Sequence, residues 1–312
     1  MAEHEVYFAS EKQLRIYKAR RIITQVLLYA FLTLVGLFIL FPFWYMIITS
    51  FKTTEAFEQE ELSGKLVFYL NSSNFSTNFV QFRKMFSGNF NFGVFYLNTI
   101  IVAVCSTAFT LVTSVLAAFA FARVNFKGKD ILFTILLGTM MVPGEMMMMT
   151  NYQTTVQLGW ANTFAALILV HGVSVFYIFY LRQTFQQIPN ELFLAAKVDG
   201  YGHFQYLWKC MIPIAMPTIV TILILSLMGA WNAFIWPTLI ANGNNAVLET
   251  MGVEHTMKLV SNGLMSQFTS EFSNDTPARI TGSLFATVPL FIFFLIFRKY
   301  IMRGVSRSGI KG

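Results

Sequence analysis

Charge is what this sequence has least of. Only 12% of its 312 residues are Asp, Glu, Lys or Arg, about half the roughly 25% of an ordinary soluble domain. Mean hydropathy is +0.58, and the apolar residues gather into long runs, which argues against a large soluble core and for membrane spans. Cysteine is nearly missing as well. Cys105 falls in an apolar run and Cys210 in a polar-flanked loop, so neither a disulfide framework nor a thiolate metal site is expected. Both read as small buried hydrophobes.

Catalytic signatures are missing too. The nearest approaches to a phosphate-cradling G-x-x-x-x-G-K-[ST] loop, Gly64–Lys65 and Gly128–Lys129, lack both the upstream glycine and the following Ser or Thr. HExxH, GxSxG and paired carboxylates at a membrane face are absent, which disfavours an integral-membrane enzyme. No removable signal peptide is evident. A polar stretch of about twenty residues precedes the first apolar run, and that run exceeds the roughly 7–15 residues of a signal-peptide core. It reads as a retained signal anchor.

What is present is a set of six segments long enough to cross a bilayer as helix, which takes roughly 20 apolar residues. They cover about 22–50, 96–122, 131–150, 161–181, 214–240 and 284–302. The fold class expected is all-α, a polytopic membrane protein. Lys and Arg set its orientation. With the N-terminus in the cytoplasm, the tails and the loops between spans two and three and between spans four and five hold 16 of the 22 basic residues. Acidic residues run the other way, with 6 of 15 on that side. The net charge of +7 is therefore a topology signal, with both termini cytoplasmic, and not the basic stripe of a nucleic-acid binder.

Within the spans, ionisable groups are almost confined to Glu145, near the outer end of span three, and His171 in span four. An ion-coupled transporter needs a charged relay at membrane depth, and one rim glutamate gives it thin support. His171 reads first as a packed or hydrogen-bonded residue. Met140, Met141 and Met146 to Met149 flank Pro143 and Gly144, a pair expected to bend or interrupt the third span. Methionine suits irregular or sliding packing there, and equally serves as ordinary lipid-facing and core side chains.

The loop between spans four and five is the most informative. From Gln186 to Pro213 it divides into two short helices. Asn190 is placed to cap the first, with Glu191 in its opening turn. Asp199 and Gly200 end it, glycine supplying a left-handed residue. The second is expected over 203–211, stopping before Pro213.

Here the sequence resembles the permease subunits of carbohydrate-type binding-protein-dependent ABC importers. Their signature is E-A-A, three residues, Gly, nine residues, then I-x-L-P. Ala195, Ala196, Gly200 and Pro213 stand at the matching places, with Ile212 for the leucine. Leu194 replaces the glutamate and Cys210 the isoleucine. Glu191, one helical turn before Leu194, is a candidate substitute. Leu181–Arg182–Gln183, Val198–Asp199–Gly200, the run from Trp231 to Pro237 and the ending from Arg303 to Gly312 match the carbohydrate branch. The resemblance covers nearly the whole membrane region.

The resemblance implies a cytoplasmic tail over 1–21, a six-helix domain over 22–302, and a tail over 303–312. Within the domain, an external segment spans 51–95 and a coupling loop 183–213. Glu191, Ala195, Ala196, Asp199, Gly200 and Pro213 would serve ATPase coupling. The chain would bind no cofactor or metal, with ATP and Mg held by a partner. Its partners would be a second permease subunit, two ATPase subunits, an extracytoplasmic solute-binding protein and membrane lipid, in a prokaryotic inner membrane. The external segment, rich in Asn71, Asn74, Asn78, Asn89 and Asn91, and the loop over 242–280 are candidate docking surfaces.

Sugars are held by aromatic faces and by amide or hydroxyl hydrogen bonds. Trp231, Asn232 and Trp236 in span five and Asn98 in span two are therefore the candidate pathway residues, against the alternative that such aromatics only pack or sit at the interface. Other cargoes left open are glycerol phosphate or another polar solute.

Overall fold

The computed structural model describes residues 11–65, 67–68, 79–86, 92–252, 255–269 and 273–306. Asn71, Asn74, Asn78, Asn89 and Asn91, and residues 307–312 of the C-terminal tail, lie outside them. The chain divides into two compact units, Met1–Gln81 and Phe82–Gly312, with the boundary inside the short helix α3 (Val80–Phe86).

In the first unit α1 (Glu11–Ser50) is 40 residues long, about 60 Å at 1.5 Å per residue. Its most apolar window is nowhere buried within the chain, as expected of a helix whose solvent is lipid. Lys52, 8% exposed, organises the segment after this helix. Its ammonium pairs with Glu60 at 2.6 Å and donates to the Val67 carbonyl at 2.8 Å. Glu60 sits on α2 (Thr54–Ser63), which Thr53 caps by accepting from the Ala56 N–H and Gly64 closes at φ +64°.

The second unit is built around α4 (Phe92–Arg123). Its inward stripe, Asn98, Thr99, Val102, Thr110, Ser114 and Ala118, is mostly small or hydroxylic. Such residues allow close helix approach in a membrane. Against it lie α8 (Val175–Gln186) and α11 (Ile212–Trp231), and α11 in turn packs on α15 (Thr276–Ser306). One core, at the start of α4, joins Phe92 and Phe95 to Met85, to Val260 and Leu264 of α14 (Val260–Thr269), and to Ala278. Another, at its end, joins Ala118 and Phe119 to Leu181, Phe185, Ala196, Tyr206 and Met211. Phe92 and Ala118 stand 26 positions apart, which separates the two by about 39 Å along the helix.

Four described helices are long and apolar enough to cross a membrane: Arg15–Ser50, Phe92–Arg123, His203–Trp231 and Thr276–Tyr300. A fifth crossing results if a bent pair counts as one. That pair is α5 (Lys129–Thr139) and α6 (Gly144–Gln157), set at 95° across Pro143. The expected interruption by Pro143 and Gly144 is thus present, and Glu145 lies in the first turn of α6, at the bend and not at the rim of a straight span.

Span four is not the continuous helix expected over 161–181. It consists of α7 (Phe164–Ile168) and α8, separated at residues 169–174. Each half has its own cap: Thr163 accepts from the Ala166 N–H and Ser174 from the Tyr177 N–H. At Gly172 the chain passes so close to the Phe109 ring that a Cβ would collide with it, and its carbonyl accepts from Thr113 Oγ1 at 3.1 Å. Span five ends at Trp231, before α12 (Ile235–Ile240). The expected stop before Pro213 is also absent. The helix that starts at His203 passes through a π-helical turn, Leu207–Met211, straight into α11. Pro213 then falls in the first turn after the π turn, where the locally widened helix accommodates a residue with no N–H to donate. The cysteines are less buried than expected: Cys105 is exposed on the outward side of α4 and Cys210 is half-buried.

Candidate functional site

The segment after α8 forms a helical elbow. α9 (Asn190–Val198) is followed by a tight turn, α10 (His203–Tyr206) and the π turn. Asp199 caps α9 and Gly200 takes φ +78°. The Tyr201 N–H reaches the Ala196 carbonyl at 2.8 Å and the Gly200 N–H the Lys197 carbonyl at 3.0 Å, the paired bonds of a Schellman motif. At the other end Asn190 is not the cap. Pro189 precedes the helix, and Asn190 is its first residue, accepting from Arg123 Nη1 at 3.3 Å.

The elbow has two faces. Ala196, Tyr206, Leu207 and Met211 are buried in the core at the end of α4, and Phe193 stacks edge-on against Tyr206 at 5.0 Å. Ala195 points the other way, exposed beside Glu191, Leu192, Leu194, Val198 and Asp199, and Phe204 and Trp208 extend this surface. The two alanines therefore do different things: Ala196 lets the elbow sit close on its own domain, and Ala195 keeps the outward face low. Glu191 and Leu194 are both exposed on α9. Pro213 is exposed at the foot of α11.

Two arginines tie down this end of the fold, Arg123 the entry to the elbow and Arg182 the helix α8 before it. Arg123 Nη2 donates to the Phe185 carbonyl at 3.0 Å and also to that of Ile188. Arg182 Nε donates to the Phe121 carbonyl at 3.2 Å, and its guanidinium lies 4.0 Å from the centre of the Phe133 ring. The planar, rigid fork of arginine suits it to holding several carbonyls in fixed directions at once.

The pathway candidates are not brought together. Trp236 is buried, its indole N–H donating to the Ala166 carbonyl at 3.0 Å and its ring 5.0 Å from that of His171. Both line a cavity of about 290 Å³ between α4, the α7–α8 break and the end of α11. Ser106, Thr110, Ser174, Tyr177 and Ser226 add hydroxyl groups to the same cavity. Sequence patterning does not mark those residues; the one available signal is Ser106 and Thr110 recurring at helical spacing within an apolar run. Trp231 turns elsewhere, donating to the Ala286 carbonyl at 3.2 Å and meeting Tyr96 edge-on. Asn232 is exposed at the break after α11, its amide bonded to the Met228 carbonyl at 2.9 Å.

Asn98 is fully buried. Its Nδ2 donates to the carbonyls of Thr256 (2.7 Å) and Lys258 (3.1 Å), and its Oδ1 lies 2.9 Å from His255 Nε2. It pins the loop after span five to α4. Asn262 does likewise nearby, donating to the Pro237 and Ala241 carbonyls and accepting from the Leu259 N–H. This asparagine-pinned loop and the elbow lie at opposite ends of α4.

A helical chain with several apolar crossings, a packed elbow at one end and a pinned loop at the other is a multi-pass membrane protein. A model of the family described as "Binding-protein-dependent transport system inner membrane component" matches residues 110–307, well over half the chain. The chain belongs to that family. It is thus an ABC-importer permease, a pore-forming subunit and not an enzyme. It is similar to the arabinooligosaccharides transport system permease protein AraQ of Bacillus subtilis, 27% identical over 90% of this chain and 94% of that one. The lactose transport system permease protein LacG of Rhizobium radiobacter is 28% identical over 93% and 97%. The trehalose/maltose transport system permease protein MalG of Thermococcus litoralis is 27% identical over 93% and 98%. Among solved structures, a chain of a bacterial ABC transporter involved in alginate import shares the fold, with TM-score 0.71 and 23% identity over 95% of this chain and 99% of that one.

Proposed function

We propose that this chain is one of two permease subunits of an ATP-driven importer that admits a neutral sugar or oligosaccharide by alternating access. The observation that carries the reading is the two-faced elbow. One face is packed into the membrane domain, and the other leaves Leu192, Leu194, Val198, Phe204 and Trp208 exposed. So many exposed apolar side chains on an elbow otherwise packed into its own domain call for a partner, and the ATPase of an importer is the partner that fits. Its closure on ATP would move the elbow, and the π turn carries that movement into α11 without a loop. Counting 161–181 through its break, and the bent pair as one crossing, gives six spans over 22–302 with both termini cytoplasmic. The elbow then faces the ATPase, and the asparagine-pinned loop and the 51–95 segment face the solute-binding protein.

Relatives named for arabinooligosaccharides, lactose and trehalose/maltose support a carbohydrate cargo. So does the cavity, whose described lining offers hydroxyls, an indole and an imidazole but no carboxylate or ammonium. That is the chemistry of a ligand with an apolar ring face and polar edges. Trp236 is the pathway contact we retain from the four candidates; Asn98 acts by positioning the external loop.

The test is uptake by membranes carrying Gly200→Asp, beside Gly200→Asn. Nothing lies within 4 Å of the position a Cβ would take at Gly200, so neither variant collides with the chain itself. Asparagine tolerates the left-handed backbone, whereas aspartate adds charge to the proposed docking face. Uptake is expected to be lost in Gly200→Asp with normal amounts of protein in the membrane, and largely kept in Gly200→Asn. Full uptake by Gly200→Asp would refute the coupling role, and loss of the protein itself would mark Gly200 as structural.

A further inference from the structure

We propose that a second cavity, at the start of α5 beside the end of α8, holds the headgroup phosphate of an anionic phospholipid. The cavity measures about 460 Å³, and its polar lining includes Lys129, Arg182, Asn125 and Gln186. It belongs to neither the elbow's outward face nor the sugar cavity.

The electrostatics favour an anion. Lys129 is half-buried and makes no hydrogen bond or ion pair among the described residues. Arg182 is held rigidly by the Phe121 carbonyl and the Phe133 ring, with its side chain 12% exposed. The only acid in the described lining is Asp130, whose carboxylate is 89% exposed and stands 3.8 Å from Arg182. So long and wet a pair is weak and yields to a phosphate. The first N–H groups of α5 open here as well, since Gly128 offers no side-chain cap, and they favour negative charge.

Depth selects a lipid over a free anion. Ile131 lines the cavity, and Ile131, Leu132 and Ile135 are 68%, 51% and 61% exposed. The cationic pocket therefore opens directly above an uncovered apolar helix face. A headgroup with acyl chains matches both surfaces; a diffusing phosphate matches only one. Basic pockets between helices at the cytoplasmic boundary bind anionic headgroups by this chemistry. The function proposed above enters only in naming the leaflet, so sugar uptake and this site fail independently.

The test uses the full chain in nanodiscs of phosphatidylcholine with added phosphatidylglycerol, with lipids retained after gentle release counted by native mass spectrometry. Wild type is expected to keep phosphatidylglycerol in preference to phosphatidylcholine. Lys129→Gln should weaken that retention about fivefold. Lys127→Gln removes an equal charge from an exposed neighbour outside the cavity and should leave retention unchanged. Equal loss in both variants would reduce the effect to general surface attraction and overturn the site. Displacement of the lipid by millimolar inorganic phosphate would overturn the choice of a lipid.

Discussion

Replacing Asn98 by alanine separates two roles that the side chain could fill. In the structure its amide is fully engaged: two donor bonds to the Thr256 and Lys258 carbonyls and one contact with His255 Nε2. Each net hydrogen bond contributes about 1 kcal/mol, so deletion should cost the local structure about 2–3 kcal/mol. That raises the opening equilibrium of the 255–258 segment roughly 30–150-fold, at tenfold per 1.4 kcal/mol. Limited proteolysis of the solubilised protein reads that opening directly, because cleavage tracks the open population when reclosure is fast. The expected result is faster cleavage of the loop after span five, with His255→Ala showing a smaller effect in the same direction. The double variant should fall short of the sum of the two, because they share one contact. Unchanged cleavage with abolished uptake would refute the positioning role and return Asn98 to the substrate pathway.

Arg123→Lys keeps the charge but loses the fork that holds the Phe185 and Ile188 carbonyls. It should lower uptake and raise protease sensitivity between α8 and α9 while topology, read by cysteine accessibility, stays as in wild type. Gly263→Ala places a Cβ 2.6 Å from the buried Phe95 ring. Overpacking of this kind costs about 1–3 kcal/mol and should lower the melting temperature in detergent. Gly172→Ala also meets a ring, that of Phe109, but Phe109 is 37% exposed and can turn aside. Its melting temperature should fall by less than that of Gly263→Ala.

The features legible in the sequence were those set by local chemistry. Apolar length marked α1, α4 and α15, Pro143 and Gly144 marked the 95° bend, and Gly200 marked the left-handed turn of the elbow. Tertiary contacts hid the rest. At the break in span four Gly172 lies close against the Phe109 ring, a contact that no periodicity in 161–181 records. Pro213 looked like a helix stop because a single proline reads locally as one, whereas a π turn just before it absorbs the missing donor. Arg123 counts as one more positive charge in a loop until the carbonyls of residues some sixty positions away are seen around it. The cavity hydroxyls of Ser106 and Thr110 sit in an apolar run and meet Ser174 and Ser226 only after folding. Trp231, Asn232 and Trp236 are neighbours in sequence yet point to three different surroundings, because the helix ends between them.

The π turn at Leu207–Met211 also sets an angular register. A π turn carries one more residue than the α-helical turn it replaces, and each residue of an α-helix advances the azimuth by about 100°. Excising a single residue from 207–211 would let the stretch relax into plain α-helix. Phe204 and Tyr206 would keep nearly the bearings they now have about the axis of α11, because either kind of turn closes one circle. A one-residue gap there is thus taken up by the shaft, whereas the same gap farther along α11 would twist its end by about 100°.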